Sequence, residues 1–185
     1  SPTPTNTGGA TASPTPTNTG GDQCPADFTQ CTNRDDGNCR NAEKICVTGT
    51  TIEKQAFVNS FTLQEVHISQ GVTSIGKDAF WDCRSLESVN IPNSVISIGN
   101  TAFYKCRNLT SVNIPNSVIE IGDYAFSWCD RLVDITIPSN FASVSELQRI
   151  GTNLNRVGLR INGAPPPQTV NQMAQRYNNL VDLLE

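Results

Sequence analysis

The chain has little of what most chemistry leans on. Among 185 residues there is one histidine, His67, and one methionine. A Ser-His-Asp arrangement would rest on that single ring, and neither a nucleophile motif nor a glycine-rich phosphate loop accompanies it. No catalytic residue, no metal and no cofactor is expected on that count. Charge is also scarce: 16% of residues are charged and the net charge is -4. Lysine and arginine are scattered, which excludes the clustered basic footprint of a nucleic-acid binder. No apolar run approaches the ~18 residues of a membrane span, and the N-terminus lacks a charged stretch followed by a hydrophobic one. Either a signal was removed or the chain is a fragment. The first ~20 residues hold almost no apolar side chains and cannot join a core.

Cysteine and proline, by contrast, are present in numbers, at 7 and 11 residues. Cys24, Cys31, Cys39 and Cys46 stand in a polar, turn-rich segment at intervals of seven, eight and seven, which reads as a small unit stapled by two disulfides. Three pairings are open. Zinc is the rival, but the short two-to-four-residue ligand knuckle of such sites is missing. Disulfides imply an oxidising compartment, so an extracellular or cell-surface location is expected. Ahead of this segment, residues 1–21 repeat Ser-Pro-Thr-Pro-Thr-Asn-Thr-Gly-Gly around Ala10-Thr11-Ala12. Alternating proline and threonine favour an extended polyproline-like arm or stalk, with Thr3, Thr5, Thr15 and Thr17 as candidate O-glycosylation sites. A disordered linker is the plainer reading; attached glycans or a neighbouring subunit would order it.

A second repeat dominates the rest. Ile75-Gly76, Ala79-Phe80, Cys83, Leu86, Val89 and Ile91-Pro92 recur 23 residues on as Ile98-Gly99, Ala102-Phe103, Cys106, Leu109, Val112 and Ile114-Pro115. They recur again as Ile121-Gly122, Ala125-Phe126, Cys129, Leu132, Ile135 and Ile137-Pro138. A fixed short period means stacked units whose cores join. A degraded entering unit precedes them, with Ile52, Ala56-Phe57, Leu63, Val66 and Ile68, but with Glu53 and Ser60 where glycine and cysteine later stand. The end of each unit alternates apolar and polar like a strand, so Val89 and Ile91 point inward and Ser88 and Asn90 outward. Upstream, Ala79, Phe80 and Cys83 share one face of a helical turn, which predicts a short helix on the opposite wall. The matching phenylalanines should stack as an aromatic column. Cys83, Cys106 and Cys129 are read as small buried thiols one strand apart, with pairing or a soft-metal ladder as the other readings.

The unit Ile-Gly-x-x-Ala-Phe-x-x-Cys-x-x-Leu-x-x-Val-x-Ile-Pro resembles the BspA-like class of leucine-rich repeats over residues 52–138. That resemblance implies an α/β solenoid, right-handed, with a parallel sheet on one side and short helices or turns on the other. It implies roles in adhesion or protein binding and no catalytic residues. Together with the segments read above, the chain divides into an arm over 1–21, a cysteine-rich N-terminal cap over 22–50, a solenoid over 51–162 and a C-terminal amphipathic helix over 163–185. Within the looser end, Ser143-x-x-Glu146 reads as a helix start, with Leu147, Ile150 and Leu154 at helical spacing. Val157, Leu159 and Ile161 then alternate like one more strand. After Pro165-Pro166-Pro167, Val170, Met173, Ala174, Tyr177, Leu180, Val181 and Leu184 form one helical stripe, either a lid on the last strand or a contact with a neighbouring subunit.

On this fold the outward columns of the sheet are the candidate ligand-binding face. Glu65, Ser88, Ser111 and Asp134 form one column; His67, Asn90, Asn113 and Thr136 form the next. The face is polar and mildly acidic, suited to a glycan or polypeptide, or else simply a solvated sheet. Glu65 and Asp134 lie several strands apart, too far for paired acid and base work. Trp81 and Trp128, with Tyr104, offer a second contact surface on the opposite wall. Asn108-Leu109-Thr110 is an N-glycosylation sequon at a turn, so Asn108 is a candidate acceptor. Two functions remain: a structural subunit of a surface or fibrous assembly, built through protein contacts or a homo-oligomer or filament of the chain itself, and an adhesion module binding a glycan or protein ligand on the sheet.

Overall fold

The computed structural model describes residues 24–152 and 158–161. Eleven strands run through it in chain order: β1 (Thr29–Cys31), β2 (Lys44–Val47), β3 (Thr51–Ile52), β4 (Glu65–Ile68), β5 (Ser74–Ile75), β6 (Ser88–Asn90), β7 (Ser97–Ile98), β8 (Ser111–Asn113), β9 (Glu120–Ile121), β10 (Asp134–Ile137) and β11 (Gly158–Ile161). The odd and even members of the repeat separate into two parallel sheets. One has seven strands in the order β1-β2-β4-β6-β8-β10-β11, and the other has four, β3-β5-β7-β9. Each 23-residue unit is therefore one coil carrying a longer strand, a proline bend, a two-residue strand and a return wall of turns. This is the parallel solenoid that the period implied.

Register follows the period. Val66 pairs with Val89, Val89 with Val112 and Val112 with Ile135, so every coil drops its apolar residue onto the one below. Inside, Phe57, Phe80, Phe103 and Phe126 stack with ring centroids 5.2, 5.2 and 5.3 Å apart and interplanar angles of 5°. All four are fully buried, and the aromatic column runs the length of the core. Burying such a side chain contributes roughly 1.5–3 kcal/mol, with a further ~0.5–1.5 kcal/mol for each ring contact. The second ladder was not visible in the sequence, because two residues are too short to show a period of two.

The return wall differs from the expected short helix. Residues 76–83 form consecutive turns, with Asp78 and Asp82 left-handed at φ 57° and 59°. Their equivalents Gln55, Thr101 and Tyr124, and Asn59, Lys105 and Trp128, share that conformation. A left-handed residue costs roughly 1–2 kcal/mol outside glycine. What offsets it is a hydrogen bond to the next coil: Phe57 N donates to Ala79 O at 2.7 Å, Phe80 N to Ala102 O at 2.8 Å and Phe103 N to Ala125 O at 2.8 Å. An α-helix would spend those amides within its own coil, whereas the turns spend them on the neighbour. The glycine after each isoleucine serves the same approach. A Cβ on Gly76 would lie 2.7 Å from Ile52 O and Lys54 N, and one on Gly99 2.6 Å from Lys77 N.

Both ends of the coil stack are dressed by irregular chain. At the start, Cys24 bridges Cys46 and Cys31 bridges Cys39. The disulfide expectation holds, and the pairing joins the outer two cysteines and the inner two. The cap is also part of the sheet, since β1 and β2 are its first two strands. At the far end, α1 (Val144–Ile150) starts at Ser143, whose side chain accepts from Glu146 N, and stops at Gly151 with φ 86°. The helix therefore ends before Leu154, which with Val157 and residues 162–185 lies outside the described residues, as do residues 1–23. Tyr124 N donates to Arg149 O at 2.8 Å and Phe126 N to Ile150 O at 2.9 Å. Carbonyls that a helix C-terminus leaves unpaired thus replace the missing next coil. The Arg149 guanidinium does the same for the second ladder, donating to Ile121 O at 2.7 Å. The expected last strand is β11, paired in register with β10.

Candidate binding face

The outer face of the seven-stranded sheet is set by strand alternation. With Val66, Val89, Val112 and Ile135 buried beneath, Glu65, Ser88, Ser111 and Asp134 fall in one register row. His67 pairs with Asn90 in the second row, and Asn113 with Thr136. The structure thus brings all eight residues onto one face in the two columns read from sequence. It also extends each column, to Lys44 and Cys46 on one side and to Gly158 and Arg160 on the other.

Those extensions change the character of the face. Lys44 Nζ lies 3.3 Å from Glu65 Oε1 and 3.2 Å from Asp27 Oδ2. The hydrogen bonds that Lys44 donates to Asp27 and Glu65 raise its ammonium above its usual value, and the bond from Lys44 holds Asp27 low. At the other end Arg160 Nη2 sits 3.0 Å from Asp134 Oδ2. Each acidic residue of the column therefore has a cation beside it, Lys44 being shared with Asp27, so the charge sits at the two ends of the face. Its centre is uncharged: Ser88, Asn90, Ser111 and Asn113 are exposed. Lys44 and Arg160 were missed as partners although the signal existed. Lys44-Ile45-Cys46-Val47 has the alternation of Glu65-Val66-His67-Ile68, and Arg160 stands between the two residues already read as strand.

His67 is less open than an outward ladder position suggests. Cys46 shares its column, so the Cys24–Cys46 bridge lies on the outer face and pins the entering chain there. Phe28 then meets the His67 ring edge-on at 6.3 Å, with Lys44 Nζ 5.6 Å from the Phe28 ring centre. The imidazole Nδ1 is 3.4 Å from Asn90 Nδ2. The histidine thus closes one margin of the face.

On the return wall the aromatics divide. Trp81 and Tyr104 occupy equivalent positions one coil apart and stack at 6.2 Å and 7°, with Lys105 Nζ 5.5 and 5.4 Å from their ring centres. Trp128 belongs to the neighbouring column, equivalent to Lys105, and is exposed. Asn108 lies at a turn ahead of β8, half-buried, and its Oδ1 accepts from Arg131 Nη1 at 3.4 Å. Thr3, Thr5, Thr15 and Thr17 lie outside the described residues.

The second cysteine group lines the core, with Cys83 and Cys106 buried and Cys129 partly buried. Cys83, Cys106 and Cys129 are free, and each thiol donates to the phenylalanine carbonyl of the coil before it, at 3.1, 3.2 and 3.3 Å. Burial pushes Cys83 and Cys129 up to about 12 and Cys106 well above its ordinary value. Such thiols are poor nucleophiles and poor ligands at neutral pH. Among the described residues no group of three or more histidine, cysteine or acidic side chains is placed to hold a metal, and no helix is long and apolar enough to cross a membrane.

Comparison with known proteins places the same residues. The sequence profile described as BspA type leucine rich repeat region matches residues 50–162 in six copies. A leucine-rich repeat protein from Bacteroides ovatus superposes with a TM-score of 0.60 at 27% identity, over 67% of this chain and 31% of that one. A leucine rich cell surface protein from Faecalibacterium prausnitzii gives 0.59 at 24% identity, over 77% and 35%. The pneumococcal vaccine antigen PcpA gives 0.54 at 27% identity, over 64% and 29%. The chain thus spans about a third of the length of these solved structures. No curated protein matches it significantly.

Proposed function

Because the chain belongs to the BspA-type leucine-rich repeat family, we propose that it is a non-enzymatic, surface-displayed interaction module that binds a protein or glycan ligand across the sheet. The observation that carries this reading is the uncharged strip of Ser88, Asn90, Ser111 and Asn113, exposed on a parallel sheet and bounded at both ends by ion pairs. Amide and hydroxyl groups held at strand spacing offer donors and acceptors in a fixed array, and a ligand that pairs with them gives up no ion-pair partner. The two disulfides support an oxidising, extracellular setting. In this reading residues 1–21 are the stalk, 22–50 the cap, 51–162 the binding solenoid and 163–185 the terminal segment. Glycans on Asn108 and on Thr3, Thr5, Thr15 and Thr17 would belong to the stalk and to the margin of the stack.

The test is binding of the intact protein to protein and glycan arrays, repeated with Asn90→Ala plus Asn113→Ala. Loss of both amides should weaken a bound ligand about tenfold or more, with the circular dichroism spectrum unchanged. Undiminished binding by the double variant would move the ligand off this face.

A second reading, a structural subunit in a surface or fibrous assembly, is favoured by the proline-threonine repeat of residues 1–21. Since α1 and Arg149 complete the turn-wall and short-ladder hydrogen bonds of the last coil, subunits would meet through lateral faces, the edges of the long sheet or the arm. Sizing that shows concentration-dependent polymers, lost on removal of residues 1–21, would select it.

A further inference from the structure

The coils are alike inside and differ outside, and the difference runs in one direction. Four positions, each at least partly exposed except at the buried Asp82, can be followed along the arc that leads from the bend before the two-residue strand to the start of the next long strand. In the entering coil they are Thr50, Gln55, Asn59 and Gln64, and in the next Thr73, Asp78, Asp82 and Glu87. The third coil has Ile96, Thr101, Lys105 and Thr110. In the last they are Ile119, Tyr124, Trp128 and Val133, which are 71%, 59%, 59% and 57% exposed. Tyr124 and Trp128 adopt the left-handed conformation of the wall, so these large side chains are carried at backbone positions that favour small or polar residues. Nothing in the inner packing asks for them, since Phe126 and Ile135 already fill the interior. Scattered exposed apolar residues are ordinary; a whole rim of them on one coil marks a surface that something covers.

We propose that this rim is the seat of the chain's own C-terminal segment, residues 163–185. β11 is hydrogen-bonded to β10 with Ile161 opposite Ile137, so the chain leaves the sheet at the end of the last coil's long strand. It leaves beside the coil that carries the rim. The seven residues 162–168 can span up to roughly 23–25 Å. The following stretch to Glu185 carries Val170, Met173, Tyr177, Leu180 and Leu184 at helical spacing. As a helix it would be about 25 Å long, with one apolar stripe to bury. Stripe and rim belong to the same chain, separated by a linker long enough to join them. α1 already covers the axial end of the stack, and the terminal segment lies on the side of it.

Trp128 reports the docking directly. In the full-length protein carrying Trp81→Phe, Trp128 is the single tryptophan, and its emission should be blue-shifted and shielded from iodide. Removing residues 163–185, or introducing Leu180→Asp plus Leu184→Asp into the full chain, should red-shift it and raise the quenching constant several-fold, with the cooperative unfolding transition of the repeat stack retained. The double substitution keeps the test sound should the shortened chain fail to fold. A Trp128 as quenchable in the intact protein as in both variants would overturn the proposal. So would shielding that disappears on dilution in step with dissociation of a dimer, which would give the rim to a second copy.

Discussion

Replacing Phe103 by alanine asks how much one ring contributes to a column. Phe103 is fully buried and touches a ring on each side, Phe80 at 5.2 Å and Phe126 at 5.3 Å. Truncation leaves a cavity that stacked coils cannot collapse, because hydrogen-bond ladders in both sheets and the turn wall fix their spacing; that places the cost near the top of the ~3–5 kcal/mol range for such changes. Among the described residues Phe57 has one ring neighbour, Phe80 at 5.2 Å. Its loss should therefore cost about 1 kcal/mol less, the worth of one ring contact. Urea unfolding followed by circular dichroism, with disulfides intact, reads both. The Phe103→Ala transition should also broaden, because in a one-dimensional stack a weakened middle interface lets the two halves melt separately. Equal costs for the two variants, or a Phe103→Ala cost under about 1.5 kcal/mol with a sharp transition, would refute the column as a continuous core.

Three further outcomes follow from the same geometry. Gly122→Ala should destabilise by several kcal/mol, since its Cβ would run into Asn100 N and Oδ1 of the preceding coil, whereas Gly37→Ala meets no atom within 4 Å and should cost only about 1 kcal/mol for its positive φ. Melting temperatures of the two variants compare them. The thiols of Cys83, Cys106 and Cys129 should alkylate on the order of a thousandfold more slowly than a free cysteine at pH 8, and all three should label in urea. Their raised values also stabilise the fold below the ordinary thiol value of 9.0, and that contribution should fall away as pH rises towards about 12. Asp82 is shifted the other way: its bonds with Arg84, at 3.0 and 2.8 Å, lower its carboxyl below 3.8. Stability from that pair is present above pH 3.8 and lost as pH falls through the lowered value, so Asp82→Asn should flatten the acid limb of a stability profile.

The inward residues told the sequence reader almost everything about the stack. Phe80, Phe103 and Phe126 recur at one spacing because each coil repeats the packing of the last, and nothing but that repetition was needed to order the sheet. The return wall was harder. Ala79, Phe80 and Cys83 do share a face, but the same pattern fits two turns as well as one helix, and the choice is made by bonds to the next coil that no local window contains. Thr101 and Lys105 carry no glycine or asparagine signal for their left-handed backbone, so their conformation was invisible until the neighbours were in place. Glu65 and Asp134 fall on the outer face as expected, yet their ion-pair partners were not seen. Each is paired by a residue of β2 or β11, strands outside the regular units, where the 23-residue period gives no guidance. The pairing of Cys24 with Cys46 follows from β2 joining the sheet with Cys46 outward, another fact that depends on the register of the cap.

Residue-resolved amide hydrogen exchange tests the central claim, that successive coils are bonded to one another on every wall. The Phe80 and Phe103 amides of the turn wall donate at 2.8 Å to Ala102 O and Ala125 O. They should exchange as slowly as the amides of β6 and β8 in the sheet opposite, and Phe57 and Phe126 near the ends should exchange faster than these inner two. Turn-wall amides that exchange at unfolded rates while the sheet stays protected would contradict it.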